Sequence, residues 1–69
     1  MSKEMNFFIY LIENYAYFKK TTADKIIDKM IKLDILDKIF NNYEFYHIEK
    51  LENAYEDIDR LIEEKELNC

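Results

Sequence analysis

The sequence predicts a single all-α domain, a small bundle of three to four helices that spans residues 1–69. The chain has no glycine and no proline, whereas tight hairpin turns favour glycine or asparagine at positive φ. Its apolar residues recur at spacings of three and four instead of alternating, which is typical of amphipathic helices. With 49 % hydrophobic residues the chain is too apolar to remain disordered, so we expect it to fold.

The first predicted helix covers Lys3 to Lys19. One face is polar and the remaining surface is broadly apolar, which indicates a central helix that contacts neighbours on more than one side. The polar face comprises Asn6, Tyr10, Glu13, Asn14 and Tyr17. Because tyrosine combines an apolar ring with a polar tip, Tyr10 and Tyr17 are either candidate protein-interface residues or side chains at the edge of the core.

Two shorter amphipathic helices are predicted next. Thr21 is the expected N-cap of the second helix, which begins at about Thr22, because Asp24 follows three residues later and completes a capping-box pattern. Asp34 is the expected cap of the third helix, with Asp37 in the equivalent position. Both helices should lie on the surface, with one apolar stripe facing the core.

The rest of the chain contains a connector and the last helix. The stretch from Tyr43 to Ile48 is rich in residues of high β-propensity, and we interpret it as a helix end followed by a packed connector. The final helix, from about Glu49 to Leu67, has the most regular apolar stripe of the chain. That stripe comprises Leu51, Ala54, Tyr55, Ile58, Leu61 and Ile62.

The net charge of −5 lies entirely in the last helix. Residues 1–48 contain seven acidic residues and seven lysines, whereas residues 49–69 contain eight acidic and three basic residues. The expected solvent face of this helix carries Glu52, Glu56, Asp59, Glu63 and Glu66. Such a face should repel nucleic-acid phosphates and attract a basic protein surface, so we expect a protein partner and no direct binding of DNA or RNA.

His47 is the only histidine and the one candidate for acid–base chemistry. It could act as a general base oriented by Asp57 or Asp59, but no serine or cysteine nucleophile is placed to complete a catalytic set. The alternative is a half-buried His47 bonded to a backbone carbonyl or a carboxylate. Asp57 lies near the apolar stripe and could make a structural bond to His47, Tyr43 or Tyr46. We therefore do not expect an enzyme.

No metal site, cofactor or membrane span is predicted. A chain without glycine has no glycine-rich phosphate loop, and the single cysteine, Cys69, can form neither an intrachain disulfide nor a Cys-type zinc site. Glu56, Asp57 and Asp59 lie in mid-helix, whereas calcium ligands come from a flexible loop. No segment has the length of a membrane span or the pattern of a signal peptide, so we expect a cytoplasmic protein.

Two stretches of the sequence resemble a family of short bacterial proteins, domain-of-unknown-function family 3791. They are Tyr43-Glu-Phe-Tyr-His47, followed by Glu52-Asn-Ala-Tyr-Glu-Asp-Ile-Asp59, and the opening Asn6-Phe-Phe-Ile-Tyr-Leu-Ile-Glu-Asn-Tyr15. The matching positions are Tyr43, His47, Asp57 and Ile58, while Ile48 stands where the family is expected to have threonine. The resemblance implies a small helical protein, often encoded beside ADP-ribosyltransferase-like toxins, and hence an antitoxin or accessory role.

The function that the sequence favours is protein binding, by a small acidic partner or antitoxin that occludes a basic surface on a toxin. Its candidate interface comprises Tyr10, Tyr17, Glu52, Glu56, Asp59 and Glu63. Two alternatives stay open. One is a phage-type inhibitor that mimics nucleic acid with its carboxylates, and the other is a structural homo-oligomer, such as a homodimer, that buries the apolar surface of its first helix against a second copy.

Overall fold

The computed structural model describes residues 2–67, and this part of the chain contains α-helices and no strand, which confirms the all-α class. The helices are α1 (Lys3–Phe18), α2 (Ala23–Lys32), α3 (Leu36–Phe40), α4 (Tyr43–Tyr46) and α5 (Leu51–Leu67). Cys69, which we expect to be a bystander, lies outside the described residues. No helix of the described part is long and apolar enough to cross a membrane.

The core lies between α1 and α5, and the shorter helices complete it. From α1 it takes Phe8, Leu11, Ile12, Tyr15 and Ala16, and from α5 it takes Ala54, Tyr55, Ile58, Leu61 and Ile62. Ile26, Met30, Ile35, Ile39 and Tyr46 come from the segments between them. Because α1 also packs against α2, α3 and α4, it is the central helix that its broad apolar surface predicts.

Helices α1 and α2 both end in a turn that usually contains glycine. In each turn one residue adopts φ of 59°, Lys20 after α1 and Asp34 after α2. The next residue donates its N–H back into the helix, from Thr21 to the Ala16 carbonyl at 2.9 Å and from Ile35 to the Met30 carbonyl at 3.0 Å. These bonds define a Schellman motif at each end, formed here without glycine.

The two capping predictions are therefore wrong. The N-cap of α2 is Thr22, one residue after Thr21, and its side chain makes no capping bond. Asp34 is likewise part of the turn that ends α2, and Ile35 is the N-cap of α3. The physical reason is the same in both cases. The C-terminal turn of the preceding helix uses the residue that the capping pattern assigned to the start of the next helix.

The connector after α3 also differs from the expectation, because it contains the short helix α4. The Asn42 carbonyl accepts hydrogen bonds from the N–H groups of Phe45 at 3.1 Å and Tyr46 at 3.0 Å. This single helical turn places Tyr46 in the core. The predicted helix from about Glu49 starts at Leu51, and the first helix ends at Phe18 instead of Lys19.

The turn after α1 gives a direct test of its left-handed residue. Replacing Lys20 with glycine removes the steric conflict between Cβ and the backbone at φ of 59°. We expect Lys20→Gly to raise the free energy of unfolding by about 0.5 to 1 kcal/mol, measured by urea denaturation followed by circular dichroism. The matched control, Lys25→Gly inside α2, should lower it by about 1 kcal/mol. Destabilisation by both variants would contradict this assignment.

Candidate protein-binding surface

Two aspartates of α5 each accept a hydrogen bond from a tyrosine of the core. The Tyr15 hydroxyl of α1 donates to Asp59 Oδ1 at 2.5 Å, and the Tyr46 hydroxyl of α4 donates to Asp57 Oδ2. Both tyrosines are only 1 % exposed, so these carboxylates accept the O–H groups of buried side chains. The Tyr46 hydroxyl also accepts a hydrogen bond from Asn42 Nδ2 at 3.5 Å. The bonds to the aspartates join α5 to α1 and α4 at defined positions.

A cation lies beside each of these aspartates. Lys19 Nζ is 3.0 Å from Asp59 Oδ1, and the Arg60 guanidinium pairs with Asp57. Of the three partners that the sequence offers for Asp57, the structure selects Tyr46. Asp59, a candidate interface residue, is held by Tyr15 and Lys19 of its own chain. Both aspartates therefore have structural partners already.

The pKa values of the two tyrosine hydroxyls in these bonds are raised, which favours their neutral form. Burial raises the pKa of Tyr15 well above its usual range, and the hydrogen bond to Asp59 adds to the effect. Burial and the bond to Asp57 raise the pKa of Tyr46 to about 12. A deprotonated tyrosine could not donate to a carboxylate and would place two negative charges side by side.

The raised pKa values predict loss of stability at high pH. Because the folded state favours the neutral phenols, their contribution is complete below the unfolded pKa of about 10 and is lost as pH rises through the folded values. We expect the unfolding temperature to fall steeply between about pH 10 and 12, measured by circular dichroism alongside phenolate absorbance.

A double variant serves as the control for this alkaline transition. Tyr15→Phe with Tyr46→Phe should be less stable at neutral pH, by about 1 to 3 kcal/mol, and less sensitive to alkali. Ionisation of Tyr15 and Tyr46 in the ordinary tyrosine range, without any loss of helix, would contradict the structural role of these bonds.

Three glutamates of α5 form a row of carboxylates, the acidic row, defined as Glu52, Glu56 and Glu63. All three are exposed, and none forms a salt bridge within residues 2–67. By contrast, Glu66 pairs with Lys29 at 3.5 Å, and Glu64 pairs with Arg60 at 3.3 Å. The acidic row is thus the part of the α5 charge that other side chains do not neutralise.

A group of aromatic rings, the aromatic shelf, lies beside the acidic row. It comprises the exposed rings of Tyr10, Tyr17 and Phe18 and the buried ring of Tyr55 beneath Phe18. Tyr17 is 87 % exposed and Tyr10 is 52 % exposed. Phe18 is 58 % exposed and stacks on the buried Tyr55 ring with 5.0 Å between centroids. Burial raises the pKa of Tyr55, and Tyr10 and Glu52 are close enough to add to that rise. This proximity joins the shelf to one end of the acidic row.

Lysines at the end of α1 and in α2 lie beside the end of the acidic row that contains Glu63. A groove of about 680 Å³ between α2 and α5 has Lys19, Lys25 and Lys29 on one wall and Asp59, Glu63 and Glu66 on the other. Two salt bridges cross it, from Lys19 to Asp59 and from Lys29 to Glu66. Sequence reasoning missed this neutralisation, because residues 19 and 59 are too far apart in the chain for any local pattern to connect them.

His47 belongs to an aromatic cluster and has no carboxylate partner within residues 2–67. Its ring is parallel to that of Tyr43, with centroids 4.6 Å apart, and Nδ1 lies 3.0 Å from the Tyr43 carbonyl oxygen. Phe7 packs against both rings, at 5.5 Å from Tyr43 and 6.3 Å from His47. The structure therefore does not assemble a base oriented by Asp57 or Asp59. It selects the backbone-carbonyl alternative, with His47 exposed instead of half-buried.

The residues at the family-motif positions make packing contacts and a structural hydrogen bond. Ile58 is fully buried in the core, Asp57 accepts from Tyr46, and Tyr43 carries the His47 ring. No group of three or more histidine, cysteine or acidic side chains in residues 2–67 is arranged to hold a metal ion. The acidic row and the exposed rings of the aromatic shelf are both accessible, and together they are suited to contact with another macromolecule.

The fold and this surface describe a small all-α protein with a polarised, aromatic-lined face. Comparison with protein families then places it: the model of the family described as "Protein of unknown function (DUF3791)" matches residues 6–65. The chain belongs to this family, as the resemblance in its sequence indicates. No curated protein and no solved structure gives a significant match.

Proposed function

We propose that this protein is a small acidic protein-binding module that docks on a basic surface of another protein, in the manner of an antitoxin or accessory partner of a toxin. The observation that carries the proposal is the acidic row, three exposed carboxylates without a salt bridge in residues 2–67. Aligned charges of one sign steer the approach of an oppositely charged partner and define its orientation.

The energetics of the acidic row support a role in binding. Glu52 and Glu56 are four residues apart on one helix, where like charges cost about 0.2 to 0.5 kcal/mol. Glu63 also lies one turn from Asp59, a second pair of like charges. Arg60, the cation one helical turn from both Glu56 and Glu63, pairs with two other carboxylates of α5 instead, so no salt bridge of the acidic row in residues 2–67 offsets this repulsion. A basic partner would turn this repulsion into attraction, and its association rate would fall as salt is added.

The aromatic shelf supports a protein as the partner. Tyrosine and phenylalanine supply large apolar contact areas with little side-chain entropy to lose, and tyrosine is common among the residues that dominate binding energy. Tyr17 projects almost entirely into solvent, so its ring is available for such contact. An acidic row flanked by rings offers both the orientation and the buried area that an interface needs.

The other two hypotheses receive less support from these features. A nucleic-acid mimic needs carboxylates over an extended surface. On α5 the carboxylates without a salt bridge form only one row, and Lys19 and Lys29 neutralise the carboxylates of Asp59 and Glu66 beside it. Self-association through the same face would bring two acidic rows together, which is unfavourable. Both remain alternatives for the tests below.

The proposal predicts which charges matter for binding. To the toxin-like partner that the family resemblance implies, the triple variant Glu52→Gln, Glu56→Gln, Glu63→Gln should bind about tenfold or more weakly, mainly through slower association. Surface plasmon resonance at low and high salt measures both rates. The loss should be largest at low salt, because added ions screen exposed charges.

The matched control removes three exposed carboxylates from α1, α3 and α4, in Glu4→Gln, Asp37→Asn and Glu44→Gln. Its net charge equals that of the first variant, so a difference between the two reports the location of the charge. Equal effects of the two variants would mean that binding depends on net charge and not on the position of the acidic row. Unchanged binding by the acidic-row variant would overturn the proposal.

A further inference from the structure

We propose that the aromatic shelf and the acidic row together receive an amphipathic α-helix of the partner, with arginines facing the row and apolar side chains seated on the shelf. This inference rests on the proposed function and names the element that the surface recognises. A groove of about 600 Å³ lies along the shelf, lined by Asn14, Tyr17, Phe18, Lys20, Thr21 and Tyr55. The groove is formed by the end of α1, the turn after it and Tyr55 of α5, and its apolar rings suit the apolar face of a third helix.

The spacing of the carboxylates favours a helix as the occupant. Glu52, Glu56 and Glu63 are four and seven residues apart, which places them about 6 Å and 10 Å apart along the α5 axis. A partner helix lying along α5 matches this row with cations at positions i, i+4 and i+11, which share one face. The complementary charges then require no distortion of either helix.

An extended strand does not match the same row. At about 3.3 Å per residue, the two distances correspond to steps of about two and three residues. Since successive strand residues point to opposite sides, the second step would turn one cation away from its carboxylate. Residues 2–67 also contain no strand to which an extended segment could add. The spacing of the acidic row therefore favours a helix over an extended strand as the bound segment.

The chemistry of the surface favours arginine over lysine on the partner helix. The guanidinium group makes two parallel hydrogen bonds to a carboxylate and also stacks on aromatic rings. Glu52 lies one helical turn before Tyr55 on α5, so an arginine bound there lies near both a carboxylate and an aromatic ring. At the other end Tyr17 and Phe18 offer apolar surface without a carboxylate, which suits leucine or phenylalanine on the adjacent face of the partner helix.

The charges also argue for a foreign partner helix instead of a second copy of this chain. The lysine-rich helix of this protein is α2, and its polar face also contains Asp24 and Asp28, with Asp28 paired to Lys32 at 2.9 Å. Lys29 is engaged with Glu66 of α5. The face that α2 would offer is therefore of mixed sign and partly occupied, and it does not match a row of three carboxylates.

The test uses two synthetic peptides of identical composition. One places leucines on one face of a helix and arginines at i, i+4 and i+11 on the adjacent face, and the other distributes the same residues without a common face. We expect the first peptide to bind, to become helical by circular dichroism, and to shift the amide resonances of Tyr17, Phe18, Glu52 and Glu56. We expect the second to bind at least tenfold more weakly.

Two variants with exposed apolar side chains localise the site. Tyr17→Ala removes an 87 % exposed ring from the shelf, and Ile31→Ala removes a 61 % exposed side chain from α2, outside the groove. We expect Tyr17→Ala to weaken binding of the first peptide about tenfold and Ile31→Ala to leave it unchanged. Proton–nitrogen correlation spectra show whether each variant stays folded, so a loss of binding is not confused with a loss of structure.

The outcomes distinguish this inference from the proposed function. Equal binding of both peptides, absence of binding, or resonance shifts confined to other helices would overturn the amphipathic-helix inference. If the full partner still depended on the acidic row, the proposed function would stand without it. A dimer of this chain in light scattering that Tyr17→Ala dissociates would overturn the inference in favour of self-association, because the shelf would already be occupied.

Discussion

The position of α5 depends on two hydrogen bonds in which buried tyrosines donate to aspartates at the edge of the core. Tyr15 and Tyr46 come from α1 and α4, and Asp59 and Asp57 lie on either side of the apolar stripe of α5. Apolar packing alone tolerates small rotations of a helix, but a buried hydroxyl has a strict requirement for its acceptor. The bonds therefore define the rotation of α5 about its axis, and with it the side on which the remaining carboxylates are presented.

This arrangement divides the acidic residues of α5 by role. Asp57 and Asp59 face the tyrosines with a cation beside each, and Glu64 and Glu66 pair with Arg60 and Lys29. The exposed row that remains lies next to the rings of α1, because Tyr55 packs against Tyr15 and Phe18. The negative charge of α5 that is not paired therefore lies on one exposed face, next to aromatic rings. Such a face is suited to a partner surface that is both basic and apolar.

The helix ends show how a chain without glycine closes its turns. Lys20 and Asp34 accept the left-handed conformation at some steric cost, and buried Ile35 and Met30 help to hold the second of these turns in the core. Helix α4 consists of a single turn, which places Tyr46 in the core and leaves Tyr43 and His47 stacked at the surface. Short helices of this kind owe their stability to tertiary packing more than to intrinsic propensity.

By itself the sequence determined the helical class, the approximate span of α1, α2 and α5, and the apolar stripe of α5, because these follow from local periodicity. It also located the excess of negative charge and the exposed tyrosines of α1. Only the tertiary structure decided that Asp57 binds Tyr46, that Lys19 and Lys29 neutralise part of the acidic face, and that Thr22 and Ile35 start helices in place of the expected caps. The side-chain partners are distant in the chain, and the caps depend on how the preceding helix ends, so neither is encoded in a short local pattern.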